Sequence, residues 1–165
     1  LEACVGNAGS WVMDLADVYA HALRDGWGSF RFTPAVQALR AFRVAMDLYE
    51  AEGGQPARFA RYRRNADVWY EGLQALGFQP YVAREHQGPI VVVVRQPEHP
   101  AWDFHDFLAR MKARGVIISL HFTTKLPTIR LGCIGAIDET DVRFALAQIQ
   151  AVLAEMGIAP RAAAA

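Results

Sequence analysis

The stretch TIRLGCIG at residues 128–135 places Arg130, a permanent cation, inside a short apolar run with the look of a strand. Burying a guanidinium in an apolar core without an anionic partner is costly, so two readings stand open. Either Arg130 reaches water from an edge strand, or it is a clamp for an incoming anion. Its planar fork of N–H donors suits the paired oxygens of an anion such as a carboxylate or phosphate. A second candidate lies in FRFTP at residues 30–34. There Thr33 is either the N-cap of the helix that follows or a hydroxyl offered, with nearby backbone donors, to a phosphate.

The remaining polar residues have plainer accounts. Lys112 and Lys125 are the two lysines. Lys112 belongs on the exposed side of a helix. Lys125, in HFTTKLP just before the strand of Arg130, sits where one anion could meet both cations, although a solvated loop lysine explains it as well. His21, His86, His99, His105 and His121 include no pair at the helical spacing of a metal site, so no metal is expected. Asp103, His105 and Asp106 read as a helix cap and its dipole compensation. Arg58, Arg61 and Arg64 share a stripe that reads as a solvated helix face. Acidic residues balance it and no exposed aromatics interleave as a nucleic-acid surface would require. No G-x-S-x-G elbow, phosphate loop or dinucleotide fingerprint is present.

These residues must be held by elements, and their order is legible. Residues 1–34 show little continuous periodicity and contain the turn-like GNAGS and DGWGS. From Ala35, Val36, Leu39, Phe42, Met46 and Tyr49 recur at steps of three and four, the pattern of a buried helical face that stops at Gly53-Gly54. A second helix from about Pro56 carries Phe59, Tyr62, Ala66, Trp69, Leu73 and Leu76 and ends at Gly77. FQPYVA and PIVVVVR read as strands, the latter buried on both faces. Asp103 opens a helix with Phe104, Phe107, Leu108 and Met111 inward, released at Gly115. GVIISL and TIRLGCI are two more strands. Asp138, with Asp141 three residues on, starts a last helix with Val142, Ala145, Leu146, Ile149, Val152, Leu153 and Met156 inward. The alternation predicts an α+β module, a mixed sheet with helices packed on one face.

Composition bounds the function. At 165 residues and 53% hydrophobic the chain can bury a core. Lys plus Arg and Asp plus Glu both total 17, so the whole-chain field attracts neither nucleic acid nor an anionic membrane. The apolar runs fall well short of a membrane span. Cys4 and Cys133 are too few and too scattered for a disulfide framework, as expected of reduced thiols in the cytoplasm. Leu1 stands in what reads as the middle of a helix, the mark of a fragment, and the terminal RAAAA carries no fold information.

Taken in order, LEACVGNAGS, RFTP, DLYEAEGG, RYRRNADVWYEGLQALGF, FLARMKARGVII and IRLGCIG resemble the 2-aminoethylphosphonate:pyruvate transaminases. That family belongs to the class V, fold-type I enzymes that use pyridoxal 5'-phosphate. The resemblance covers roughly residues 1–157. It implies that residues 1–34 close a large cofactor-binding domain and that residues 35–158 form a linking helix and the small C-terminal domain; the biased composition of 159–165 reads as a disordered tail. It implies that Thr33 reaches the cofactor phosphate of the neighbouring subunit in a homodimer, and that Arg130 holds the anionic end of the substrate.

It further implies that the Schiff-base lysine, like the aspartate facing the pyridine nitrogen, lies upstream of these residues. No catalytic residue is then expected in this chain, which alone should not transaminate. Three positions depart from the family pattern: Ala35 replaces a second proline after RFTP, SLHF at 119–122 replaces Y-P-G-K, and GCIG carries Cys133 where G-N-I-G is usual. The resemblance places these departures near the substrate. The implied reaction moves an amino group from 2-aminoethylphosphonate to pyruvate, giving phosphonoacetaldehyde and alanine. A sibling acting on alanine, serine or glyoxylate would keep the fold and change the donor. An α+β domain that binds a small anion or a partner without catalysis is the reading from another class.

Overall fold

The computed structural model describes residues 1–119 and 126–159. The chain forms two compact units, Leu1–Leu48 and Tyr49–Ala165.

The first unit holds a helix that weak periodicity concealed, α1 (Leu15–Asp25), capped by Asp14, whose carboxylate accepts from the Asp17 N–H at 3.1 Å. Of its apolar residues only Ala16 and Ala22 are buried. What ties the unit is Arg31. It donates to the Asp17 carboxylate at 2.7 Å and to the Trp11 carbonyl at 3.0 Å. Its guanidinium lies 4.6 Å from the Trp11 ring centre and 4.8 Å from that of Phe32.

The next helix, α2 (Val36–Glu52), corrects an expectation. The periodic residues Val36, Leu39, Phe42 and Met46 are exposed rather than buried. A three-four pattern states that a face seeks apolar cover, not that the described chain supplies it.

The second unit carries the core. Gly53 and Gly54, both at positive φ, turn the chain directly into α3 (Gly54–Ala75). Ala66, Trp69, Tyr70 and Leu73 of α3 are buried, while Phe59, expected inside, is exposed. Two strands, β1 (Val91–Arg95) and β2 (Thr128–Gly132), pair antiparallel, with Val92 opposite Leu131, Val93 opposite Arg130 and Val94 opposite Ile129. Val92, Val94, Ile129 and Leu131 share one face and are almost wholly buried. β1 is therefore fully buried on one face rather than on both.

Against that face pack α3, α4 (Phe104–Ala113) and α5 (Glu139–Glu155). Their caps are those the sequence announces. Asp103 accepts from the Asp106 N–H at 2.8 Å, and Asp138 and Asp141 form a reciprocal capping box. Gly115, at φ +79°, closes α4, with the Val116 N–H bonded to the Met111 carbonyl at 3.0 Å. At Gly72, α3 approaches α5 so closely that an added Cβ would overlap the Leu146 side chain.

The α+β class with helices on one face holds, but the described sheet is smaller than four strands. FQPYVA contributes a single bridge, Pro80 to Val94, flanked by bonds from the Tyr81 N–H to the Val93 carbonyl at 2.8 Å and from the Arg95 N–H to the Gln79 carbonyl at 2.9 Å. Of GVIISL, residues 116–119 form no strand, and Leu120 lies outside the described residues.

Candidate functional site

The register settles the orientation of Arg130. Ile129 and Leu131 point into the core, so Arg130, between them and opposite Val93, projects from the other face and is exposed. From Ile129 to Gly132 burial alternates, although Thr128 before them is also buried, and no guanidinium is stranded in the core. Arg130 lines a cleft of about 560 Å³ at the end of β2, together with Ile117, Ser119, Ile134, Asp141 and Phe144. Ile117, Ile134 and Phe144 are all substantially exposed, so apolar side chains share the lining of the cleft with Arg130. Asp141 is committed elsewhere: its carboxylate accepts from the Asp138 N–H at 3.0 Å. Such a cleft suits a small organic anion whose charged end meets the guanidinium and whose carbon chain meets the apolar lining.

The turn following β2 is gripped from α3, and the sequence reading missed this. Trp69 donates its indole N–H to the Gly132 carbonyl at 3.1 Å. Asn65, wholly buried, donates to the carbonyls of Cys133 and Ile137 at 3.0 and 3.1 Å. Arg61 donates to the carbonyls of Gly135 and Ile137, both at 2.7 Å, and binds Glu52 through its Nε at 2.7 Å. Arg58 meets the same carboxylate at 2.6 Å. The solvated-stripe reading therefore survives for exposed Arg64 and fails for Arg58 and Arg61. Hydrogen bonds from Arg61 and then Arg58 hold the Glu52 carboxyl down at about 2. A local signal was available: a glutamate at a helix end, a Gly-Gly reversal, then arginines six and nine residues on.

Thr33 lies in the first unit, exposed, on a cavity of about 380 Å³ that Trp27, Ser29, Arg31 and Pro34 also line. It is not an N-cap. α2 begins at Val36, and the carbonyl of Ala35 accepts the first helical bond, from Leu39 at 3.0 Å. Among the described residues the Thr33 hydroxyl takes no hydrogen bond, which leaves it open to a ligand.

Cys133 is fully buried and belongs to the core, not to the cleft, and burial pushes its thiol up to about 11. Cys133 of GCIG is thus a core residue and not part of the cleft lining. Of SLHF, Ser119 lines the cleft, and Leu120, His121 and Phe122 lie outside the described residues, as does Lys125. Lys112 is exposed on α4. Asp103 is an N-cap and Asp106 pairs with Arg110 at 2.9 Å, as the capping account requires. Among the described residues no cluster of three His, Cys, Asp or Glu is placed to hold a metal, and no helix is long and apolar enough to cross a membrane.

No protein-family model matches the chain. It is 44% identical over 159 residues to the 2-aminoethylphosphonate–pyruvate transaminase of Burkholderia ambifaria, covering 96% of this chain and 42% of that protein. The protein of the same name from Cupriavidus necator is 44% identical over 158 residues, covering 96% of this chain and 41% of its own length. The chain therefore spans less than half the length of the curated relatives it matches. Among solved structures, ureidoglycine–glyoxylate aminotransferase from Bacillus subtilis superposes with a TM-score of 0.72 over 89% of this chain and 38% of its own, at 24% identity. That likeness places the fold among those of aminotransferases. Over the stretch it shares with the curated relatives, the chain belongs to the family of the 2-aminoethylphosphonate–pyruvate transaminases.

Proposed function

We propose that the protein to which this chain belongs transfers an amino group from 2-aminoethylphosphonate to pyruvate, yielding phosphonoacetaldehyde and alanine. The observation that carries this reading is the position of Arg130, turned away from the core and lining an open cleft together with apolar side chains. A phosphonate or a carboxylate fits the same fork of donors, so one guanidinium serves the amino donor and the acceptor in turn. Anchoring by the anionic end leaves a two-carbon remainder in each, with the reacting carbon bonded directly to the carboxylate in pyruvate and one CH2 further from the phosphorus in 2-aminoethylphosphonate.

Pyridoxal 5'-phosphate is the cofactor of this reading, and Thr33 fits one edge of it. An exposed threonine hydroxyl without a partner, beside a cavity, suits a phosphate oxygen. Bound cofactor supplies the electron sink for proton removal at the carbon that bears nitrogen. Arg31 keeps the segment before Thr33 in place through Asp17 and Trp11. The reading assigns Thr33 to the cofactor phosphate of a partner subunit in a homodimer and puts the Schiff-base lysine outside these 165 residues. Residues 1–34 then close a larger cofactor-binding domain. The exposure of Trp11, Trp27, Phe30 and Phe32 supports this, since such surface calls for apolar cover. Residues 35–158 form the linking helix and small domain; of the proposed tail, 160–165 lie outside the described residues. Two unpaired cysteines accord with a cytoplasmic protein.

The test is alanine formation from pyruvate by the complete protein. Alanine should appear with 2-aminoethylphosphonate as donor, and in preference to serine. Turnover with serine and none with the phosphonate would replace this substrate with the glyoxylate-type alternative.

A further inference from the structure

The turn at residues 132–137 contains two glycines and Ala136, and Ile134 is exposed, so apart from Cys133 it has little packing of its own. Gly135, at φ +103°, takes a conformation that a side chain would resist. Its shape is set from outside by donors on α3, which take the carbonyls of Gly132, Cys133, Gly135 and Ile137. Arg61 is the hub of this set. Its Nε and Nη2 face the two Glu52 oxygens at 2.7 and 3.3 Å, while its Nη1 spans the carbonyls of Gly135 and Ile137. One side chain thus fastens the end of α2 to the turn that leaves β2. The turn follows β2 directly, so its anchorage restrains where the strand end, and Arg130 two residues before it, can sit.

We propose that Arg61 is a positioning residue for Arg130, fixing the anion fork in the cleft by clamping the two turn carbonyls while anchored on Glu52. This inference rests on the reading of Arg130 as the substrate anchor. Lysine in place of Arg61 keeps the charge for Glu52 but, as a point donor, cannot hold Glu52 and both carbonyls together.

The experiment is steady-state kinetics of the complete enzyme with 2-aminoethylphosphonate and pyruvate, for wild type, Arg61→Lys, Arg130→Lys and the double variant. Arg61→Lys should raise KM for the phosphonate roughly three- to tenfold with kcat within about twofold, and should add less than about twofold in the Arg130→Lys background. A merely structural role would lower stability and active fraction, and hence kcat, without this split. Tyr62→Phe, which removes only the hydroxyl accepting from the Gly135 N–H, is the milder probe should the lysine variant fold poorly, and it should give the same split at smaller size. An Arg61 effect of equal factor in both backgrounds, or none in wild type, overturns the positioning role while leaving the anchor intact. Kinetics unchanged by Arg130→Lys overturn anchor and positioning together.

Discussion

Arg130 of β2 stands directly opposite Val93 of β1, on the face of the strand pair turned away from the helices. That single pairing reconciles a cation with an apolar stretch. Its two neighbours belong to the core, and it lines the cleft together with one of them, Leu131.

The Glu52 carboxylate, gripped by Arg58 and Arg61, should make stability pH-dependent in a defined window. Its value falls from 4.5 to about 2 on folding, so its contribution is complete above pH 4.5 and is lost as pH falls toward 2. In acid denaturation, Glu52→Gln should therefore be less stable than wild type near neutrality and converge with it near pH 2. Salt should shrink the difference, because the pair is partly exposed. A constant offset down to pH 2 would contradict this.

The two cysteines should differ in reactivity. Cys4 is exposed, whereas Cys133 is buried with its thiol pushed up to about 11 from 9.0. At pH 8 an aromatic disulfide reagent should modify one thiol quickly and the second only as the protein unfolds. By the same shift, the Cys133 contribution is present below pH 9.0 and lost as pH rises through about 11. Two fast thiols would remove Cys133 from the core.

At the α3–α5 contact, Gly72→Val should cost about 1–3 kcal/mol through overlap with Leu146, and Leu146→Ala should relieve most of that cost. Chemical denaturation of the four variants measures it. An equal cost in both backgrounds would locate the effect elsewhere.

What was legible in the sequence is what short-range chemistry controls. Asp103, Asp138 and Asp141 declare helix starts because a cap lies within three residues of its partner, and Gly77 and Gly115 declare stops for the same reason. VVVVR and TIRLG carried enough β-branched character to be strands. α1 was lost because its buried residues are alanines, which scarcely mark a face. The exposure of α2 was not foreseeable, since a periodic face does not name its cover. Residues 116–119 look like a strand locally, yet they form none in the structure. Arg61 was hardest, because its role depends on carbonyls more than 70 residues away. The placement of Arg130 and Thr33 at candidate sites came from the order of family-like segments. Composition and periodicity left both open.

The most direct measurement is kcat/KM for 2-aminoethylphosphonate with pyruvate in the complete enzyme carrying Arg130→Lys, beside its thermal stability. Because Arg130 faces away from the core, stability should stay near wild type while kcat/KM falls by roughly tenfold or more as the paired donor fork is lost. An unchanged kcat/KM would show that Arg130 does not hold the substrate.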